Sequence, residues 1–177
     1  MNAVELLKED HEQVARLFKK FEMADEDLKG EIATRICRLL TIHAQIEEQL
    51  LYPAARSALE EAGEDLVDEA VVEHASVKNL VGQIESSGSS DELFSAKVRV
   101  LGEYVRHHVK EEEAELFPQL EDSELDLESL GTELEARKAE LVDATDEQSN
   151  QDQGGSTLTI APESGGGGKE SNRSPAR

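Results

Sequence analysis

HAQIEEQLLYP (residues 43–53) and HVKEEEAELFP (residues 108–118) decide the reading of this chain. Each runs His, three residues, Glu, four residues, then an aromatic residue and proline. On an α-helix, side chains four residues apart share one face, with Cβ atoms about 5–6 Å apart. His43 with Glu47, and His108 with Glu112, therefore each present an imidazole and a carboxylate to one point. Pro53 and Pro118 are expected to end their helices, because proline lacks the N–H that the next turn needs.

The repetition reaches further back along the chain. EDHEQV around His11 matches VEHASV around His74: an acid, then His, then Val three residues on. The chain thus reads as two helical hairpins, each contributing His and then His-x-x-x-Glu.

Working outward, apolar residues recur at helical spacing with little strand-like alternation. The first helix, from about Asn2 to Met23, carries Val4, Leu7, His11, Val14, Phe18 and Phe21 on one stripe. The second, from about Leu28 to Tyr52, carries Ile32, Ile36, Leu39, His43, Ile46, Glu47 and Leu50. The third, from about Glu64 to Glu85, carries Val67, Ala70, His74, Val77, Val81 and Ile84. The fourth, from about Asp91 to Leu116, carries Phe94, Val98, Leu101, Val105, His108 and Glu112. ESSGSSDE (85–92) supplies the turn between the third and fourth. The predicted fold is all-α: an up-down-up-down four-helix bundle over residues 1–120, with a short amphipathic flanking helix within 121–143. Residues 144–177 are polar, acidic and rich in Gly and Ser. They cannot bury enough apolar surface to offset their ordering entropy, so a disordered tail is expected there.

Each main helix places one histidine in the middle of its core-facing stripe. An unpaired imidazole in an apolar interior costs a few kcal/mol, and an unpaired carboxylate far more. A bound cation converts these orphans into ligands. Two half-sites imply two ions: His11 and His43 on one, His74 and His108 on the other, with Glu47 and Glu112 able to bridge. Imidazole and carboxylate donors without a thiolate suit iron or manganese better than structural zinc. Two histidines and two bridging oxygens per ion leave positions open for oxo, water, dioxygen or peroxide.

Other chemistries lack support. Net charge is −22, from 40 acidic and 18 basic residues. Such a surface repels nucleic-acid phosphates and gains nothing at an anionic membrane. Cys37 is the single cysteine, so neither a disulfide nor a cysteine-based zinc site forms within the chain. It is expected to be a small, half-buried side chain. The start, MNAVELLKEDHEQV, lacks an apolar signal-peptide core, and no stretch approaches the roughly 20 apolar residues of a membrane span. A cytoplasmic protein is the plain expectation. His107 falls off the repeat's register, on the surface. Tyr52 and Phe117 read as packing residues at the bundle end, and Tyr104 as core packing.

On His11, HAQIEEQLLYP, His74 in EHASV, and HVKEEEAELFP, the chain resembles the hemerythrin-like (hemerythrin HHE cation-binding domain) family over roughly residues 1–120. The resemblance implies a four-helix bundle with a non-haem di-iron centre, two iron ions bridged by oxygen and carboxylates. By position, the matching ligands are His11, His43, Glu47, His74, His108 and Glu112. Oxygen-carrying members have a further histidine one turn away on the third helix; here the neighbours of His74 are Ala70 and Lys78. Glu73, Glu115, Tyr104 or solvent stand as substitutes. Two functions of different class follow. One is a binding module for dioxygen, peroxide or nitric oxide, or an iron-handling protein. The other is a di-iron enzyme that removes peroxide or nitric oxide.

Overall fold

The computed structural model describes residues 1–59 and 61–154, and every regular element among them is helical. Helix α1 spans Ala3–Met23. Asn2 caps it in a reciprocal box: its side chain accepts from Glu5 N at 2.9 Å, and its own N–H donates to Glu5 Oε2 at 3.1 Å. Helix α2 spans Glu26–Ile46 and continues through a wide π turn, Glu47–Leu51, into α3, Tyr52–Ala58. Helix α4 spans Glu61–Ser87 and α5 spans Phe94–Glu111. A second π turn, Glu112–Leu116, leads into α6, Phe117–Asp122. Helix α7 spans Leu127–Gly154.

The prolines do not end their helices as expected. In each π turn the backbone bonds skip five residues, so the Tyr52 N–H donates to the Glu47 carbonyl and the Phe117 N–H to the Glu112 carbonyl. Pro53 and Pro118 then fall in the first turn of the next α-helical segment, where a missing N–H costs nothing. The widened turns sit directly after His43 and His108, one in each hairpin.

Helices α1 and α2 form one hairpin, α4 and α5 the other, and the two hairpins pack as a four-helix bundle, with α1 against α5 and α2 against α4. Between α4 and α5 the chain turns at Gly88, whose φ of 65° suits glycine. Asp91 then accepts from Leu93 N at 2.9 Å and pairs with Lys97.

The core lies in two apolar clusters. One gathers Phe18, Phe21, Ile36, Leu40, Val81, Phe94 and Leu101 at the turn end. The other gathers Leu7, Ile46, Leu51, Tyr52, Phe117, Leu120 and Leu134 at the opposite end. Each fully buried Leu, Ile or Phe of this kind contributes about 1.5–3 kcal/mol. Cys37 is wholly buried in the first cluster rather than half-buried, and burial, reinforced by the charge of Glu85, pushes its thiol up to about 12.

Helix α7 lies across α1 and α2. Gly131 permits the approach, since a Cβ there would stand 2.4 Å from the Met1 carbonyl oxygen. Beyond residue 143, where the flanking helix was expected to stop, α7 continues to Gly154. No glycine or proline interrupts 132–153, and Arg38 ties the stretch down by donating to the Val142 carbonyl at 3.0 Å and pairing with Asp146 at 2.6 Å. The rest of the expected tail, 155–177, lies outside the described residues. No described helix is long and apolar enough to cross a membrane.

Candidate metal centre

Between the two apolar clusters runs one polar layer. His11, His43, Glu47, His74, His108 and Glu112 are all buried, and Glu47 has no exposure at all. Each is placed by its own helix: His11 follows Leu7 and precedes Val14, His74 stands between Ala70 and Val77, and His108 follows Val105 on the buried stripe of α5. All six sequence candidates therefore meet in a single layer.

Their geometry is two-fold. His11 Nε2 lies 3.2 Å from His43 Nε2, and His74 Nε2 lies 3.1 Å from His108 Nε2. Glu47 spans the pairs, with Oε1 at 3.2 Å from His43 Nε2 and Oε2 at 3.3 Å from His74 Nε2. Glu112 Oε2 sits 3.5 Å from His11 Nε2 and 3.4 Å from His108 Nε2.

Three of the four outward ring nitrogens are hydrogen-bonded to carboxylates, and the fourth faces one at longer range. His11 Nδ1 donates to Glu113 Oε1 at 2.8 Å, and His74 Nδ1 to Glu48 Oε1 at 3.0 Å. His108 Nδ1 donates to Glu73 Oε2 at 2.9 Å, and His43 Nδ1 faces Asp10 Oδ2 at 3.6 Å. A carboxylate can only accept, so those three hydrogen-bonded Nδ1 atoms carry hydrogens, and each such ring, once its other proton is displaced, presents an Nε2 lone pair inward. This is the usual orientation device for a metal-binding histidine.

Two bare lone pairs about 3 Å apart repel unless a cation or proton lies between them. Nitrogens about 2.1 Å from one transition-metal ion, at right angles, stand about 3.0 Å apart. Both oxygens of Glu47 and Oε2 of Glu112 are buried without a hydrogen-bond partner. The donor set and its orphaned oxygens fit a cation in each half-site.

The electrostatics agree. Burial alone would depress His43, but the charge of Glu47 and the carboxylate of Asp10 lift it to about 10. His108 is likewise raised: burial opposes, while Glu73 and Glu112 prevail. Glu47, although burial favours its neutral form, is held well below the carboxylate range by His43 and His74. The pocket is built around negative charge that asks for positive charge.

One residue here was not foreseen. Tyr52 is buried, and its hydroxyl donates to Glu112 Oε1 at 3.0 Å, with His74 Nε2 at 3.2 Å. Burial, then the charges of Glu47 and Glu112, keep its phenol well above its ordinary value. Its counterpart in the repeat, Phe117, stacks on His11 with ring centroids 5.9 Å apart and planes at 3°. Each aromatic follows its bridging glutamate by five residues, which a regular helix would turn away from the site. The π turn brings it back, and only the aromatic–proline repeat in the sequence hints at this. The expected substitutes fall elsewhere: Tyr104 is 46 % exposed rather than core, Glu115 is exposed, and Glu73 is engaged with His108 Nδ1.

A family profile described as hemerythrin HHE cation binding domain matches residues 2–120. The chain belongs to the hemerythrin HHE cation-binding family. A solved hemerythrin HHE cation binding domain-containing protein from Mycobacterium kansasii is similar to it, with a TM-score of 0.69 and 25% identity over 81% of this chain and 89% of that one. A DNA nickase of Nostoc sp. is 33% identical over 144 residues, which span 80% of this HHE chain and 40% of the relative's length. The family binds cations, and the polar layer of this member brings together the groups able to hold one.

Proposed function

We propose that this HHE domain carries two oxo-bridged iron ions, and that the pair binds a small ligand of the dioxygen, nitric oxide or peroxide class. His11 and His43 hold one ion, His74 and His108 the other, and Glu47 and Glu112 join them. The observation that carries this reading is Glu47: fully buried, unpartnered at both oxygens, with one oxygen toward each histidine pair. Nitrogen and oxygen donors without sulfur favour iron over structural zinc, since Cys37 belongs to the apolar cluster at the turn end.

The ligand class follows from the approach. A cavity walled by Val14, Leu40, Ile42, Val77, Val105 and Val142 reaches all four histidines. A narrow apolar passage admits diatomics and peroxide more readily than charged metabolites, which would lose their hydration there. Iron supplies redox chemistry and an open coordination position; the protein supplies fixed donors and a dry wall. Net charge −22 works against a DNA substrate, and so against a nicking role.

A second reading is favoured by one residue. The Tyr52 hydroxyl is a buried proton donor at the centre, within reach of Glu112 and His74. A protic group there suits an enzyme that disproportionates peroxide, a reaction needing proton movement but no outside reductant.

Elemental analysis with an optical spectrum of aerobically purified protein tests the centre. About two irons per chain with ferric charge-transfer absorption is the expected result. One zinc, or no metal, sinks the reading. Spectral change reversible on removing oxygen then favours the binding module, and sustained peroxide turnover favours the enzyme.

A further inference from the structure

The two hairpins differ just outside the centre. In the second, Glu73, His107 and Glu111 form a further group able to bring one ligand atom each within 4.8 Å of the others. His107 Nε2 lies 3.4 Å from Glu73 Oε1 and 3.2 Å from Glu111 Oε1, and the imidazole is solvent-exposed. The positions in the first hairpin that match His107 and Glu111 are Ile42 and Ile46, both buried. The repeat therefore keeps three inner donors in each half but writes this polar outer group in one half only.

Two members of that group, Glu73 and Glu111, also line a fissure beside α4 and α5. Both are half-buried and line it together with buried Ala70, Leu116, His108 and Glu112. Glu112, which lines the fissure, also faces the centre, where its buried Oε2 lies 3.5 Å from His11 Nε2 and 3.4 Å from His108 Nε2 without a hydrogen-bond partner. Glu73 connects the two levels: Oε1 faces His107, while Oε2 holds His108 Nδ1 at 2.9 Å.

The apolar cavity on the other side is a poor route for a cation. Its walls are mostly apolar and offer little to replace a hydration shell, and the Asp10 carboxylate there is already paired with Lys138. The acidic fissure has the opposite character.

We propose that Glu73, His107 and Glu111 form a docking site for a hydrated divalent transition-metal ion, through which metal enters the centre at His108 and Glu112. The two openings divide the labour: cations pass between α4 and α5, and the small uncharged ligand passes beside α7. This proposal rests on the two-metal reading of the centre.

The test is the rate of cobalt(II) uptake by metal-free, full-chain protein, followed by the visible absorption of the bound ion at cobalt well below saturation. The double variant His107→Ala/Glu111→Gln should load about tenfold more slowly, since a local charged site focuses its ion. Its final cobalt content and helical circular dichroism should equal those of the unaltered protein. Glu103→Gln, an exposed carboxylate on the same helix, should leave the rate within about twofold. Equal uptake rates for the double variant and the unaltered protein, both filling two sites, would remove the docking site and leave the centre standing. Equal slowing by Glu103→Gln would also overturn it, by reducing the effect to overall charge. Absence of cobalt uptake by the unaltered protein would instead overturn the two-metal reading, and the docking site with it.

Discussion

The two hairpins of this molecule carry the same donors in unequal surroundings. His11 answers to His74, His43 to His108, and Glu47 to Glu112. The outer carboxylates answer as well: Asp10 to Glu73, and Glu48 to Glu113. Against that match, Tyr52 faces Phe117, and the buried Ile42 and Ile46 face His107 and Glu111. Helix α7 covers the first hairpin and leaves the second open to solvent. A metal-binding imidazole needs an inward lone pair and an outward acceptor, which demands the same geometry of both halves. Access and reactivity have no such demand, and there the halves diverge.

The heaviest blow to the symmetry is Glu47→Gln. The amide keeps the shape but loses the charge shared by both half-sites, so metal content should fall from about two ions per chain to below about one. Elemental analysis reads it, with circular dichroism confirming the helices. Glu112→Gln should be milder, because only Oε2 of Glu112 faces the histidines while Oε1 serves Tyr52. A Glu47→Gln protein retaining both ions would end the bridging assignment.

Much of this is legible in the sequence. The four stripes repeat at helical spacing, and a histidine at the centre of each is conspicuous because burial penalises it. The pairing of His43 with Glu47 and of His108 with Glu112 follows from one turn of helix. What stayed hidden has a common cause. A π turn leaves no mark on a periodicity of 3.6, so Pro53 and Pro118 looked like helix ends and Tyr52 looked like packing. The acid before His11 and before His74 was visible as a repeat, but it serves the other histidine of its own hairpin, a contact across helices that spacing along one helix cannot show. Tyr104, placed one turn before His108, points out to solvent because α5 has no cover on that side.

Proton competition offers a smaller, graded comparison. In the metal-free protein His43 is raised to about 10 and His108 is raised as well. A raised histidine lends stability that is complete below its unfolded value, about 6.5, and lost as pH climbs through the folded value. A metal ligand must be neutral, so the cation displaces that proton. Metal-free stability should therefore decline between pH 6.5 and about 10, while apparent cobalt(II) affinity rises by up to about tenfold per pH unit for each proton released. Calorimetric titration in buffers of differing ionisation enthalpy counts those protons. Zero protons released near pH 7.5 would show that the imidazoles are neutral before metal arrives.

The subtlest change makes the hairpins alike at their aromatic position. Tyr52→Phe deletes a hydroxyl that donates to Glu112 Oε1 and leaves the ring against His74, where centroids stand 5.4 Å apart. Packing is preserved, so the bundle should form and both ions should bind. The Glu112 oxygen, however, loses that donor in a buried site, and the metal-free protein should be less stable by about 1–3 kcal/mol, read from denaturant midpoints. With metal bound, Glu112 is free to turn both oxygens inward, and the two half-sites become chemically equivalent. The ferric absorption should then shift while metal content holds, and peroxide turnover, if it needs the phenolic proton, should drop by about 10²-fold. An unchanged spectrum together with unchanged turnover would reduce Tyr52 to the packing role its partner Phe117 fulfils.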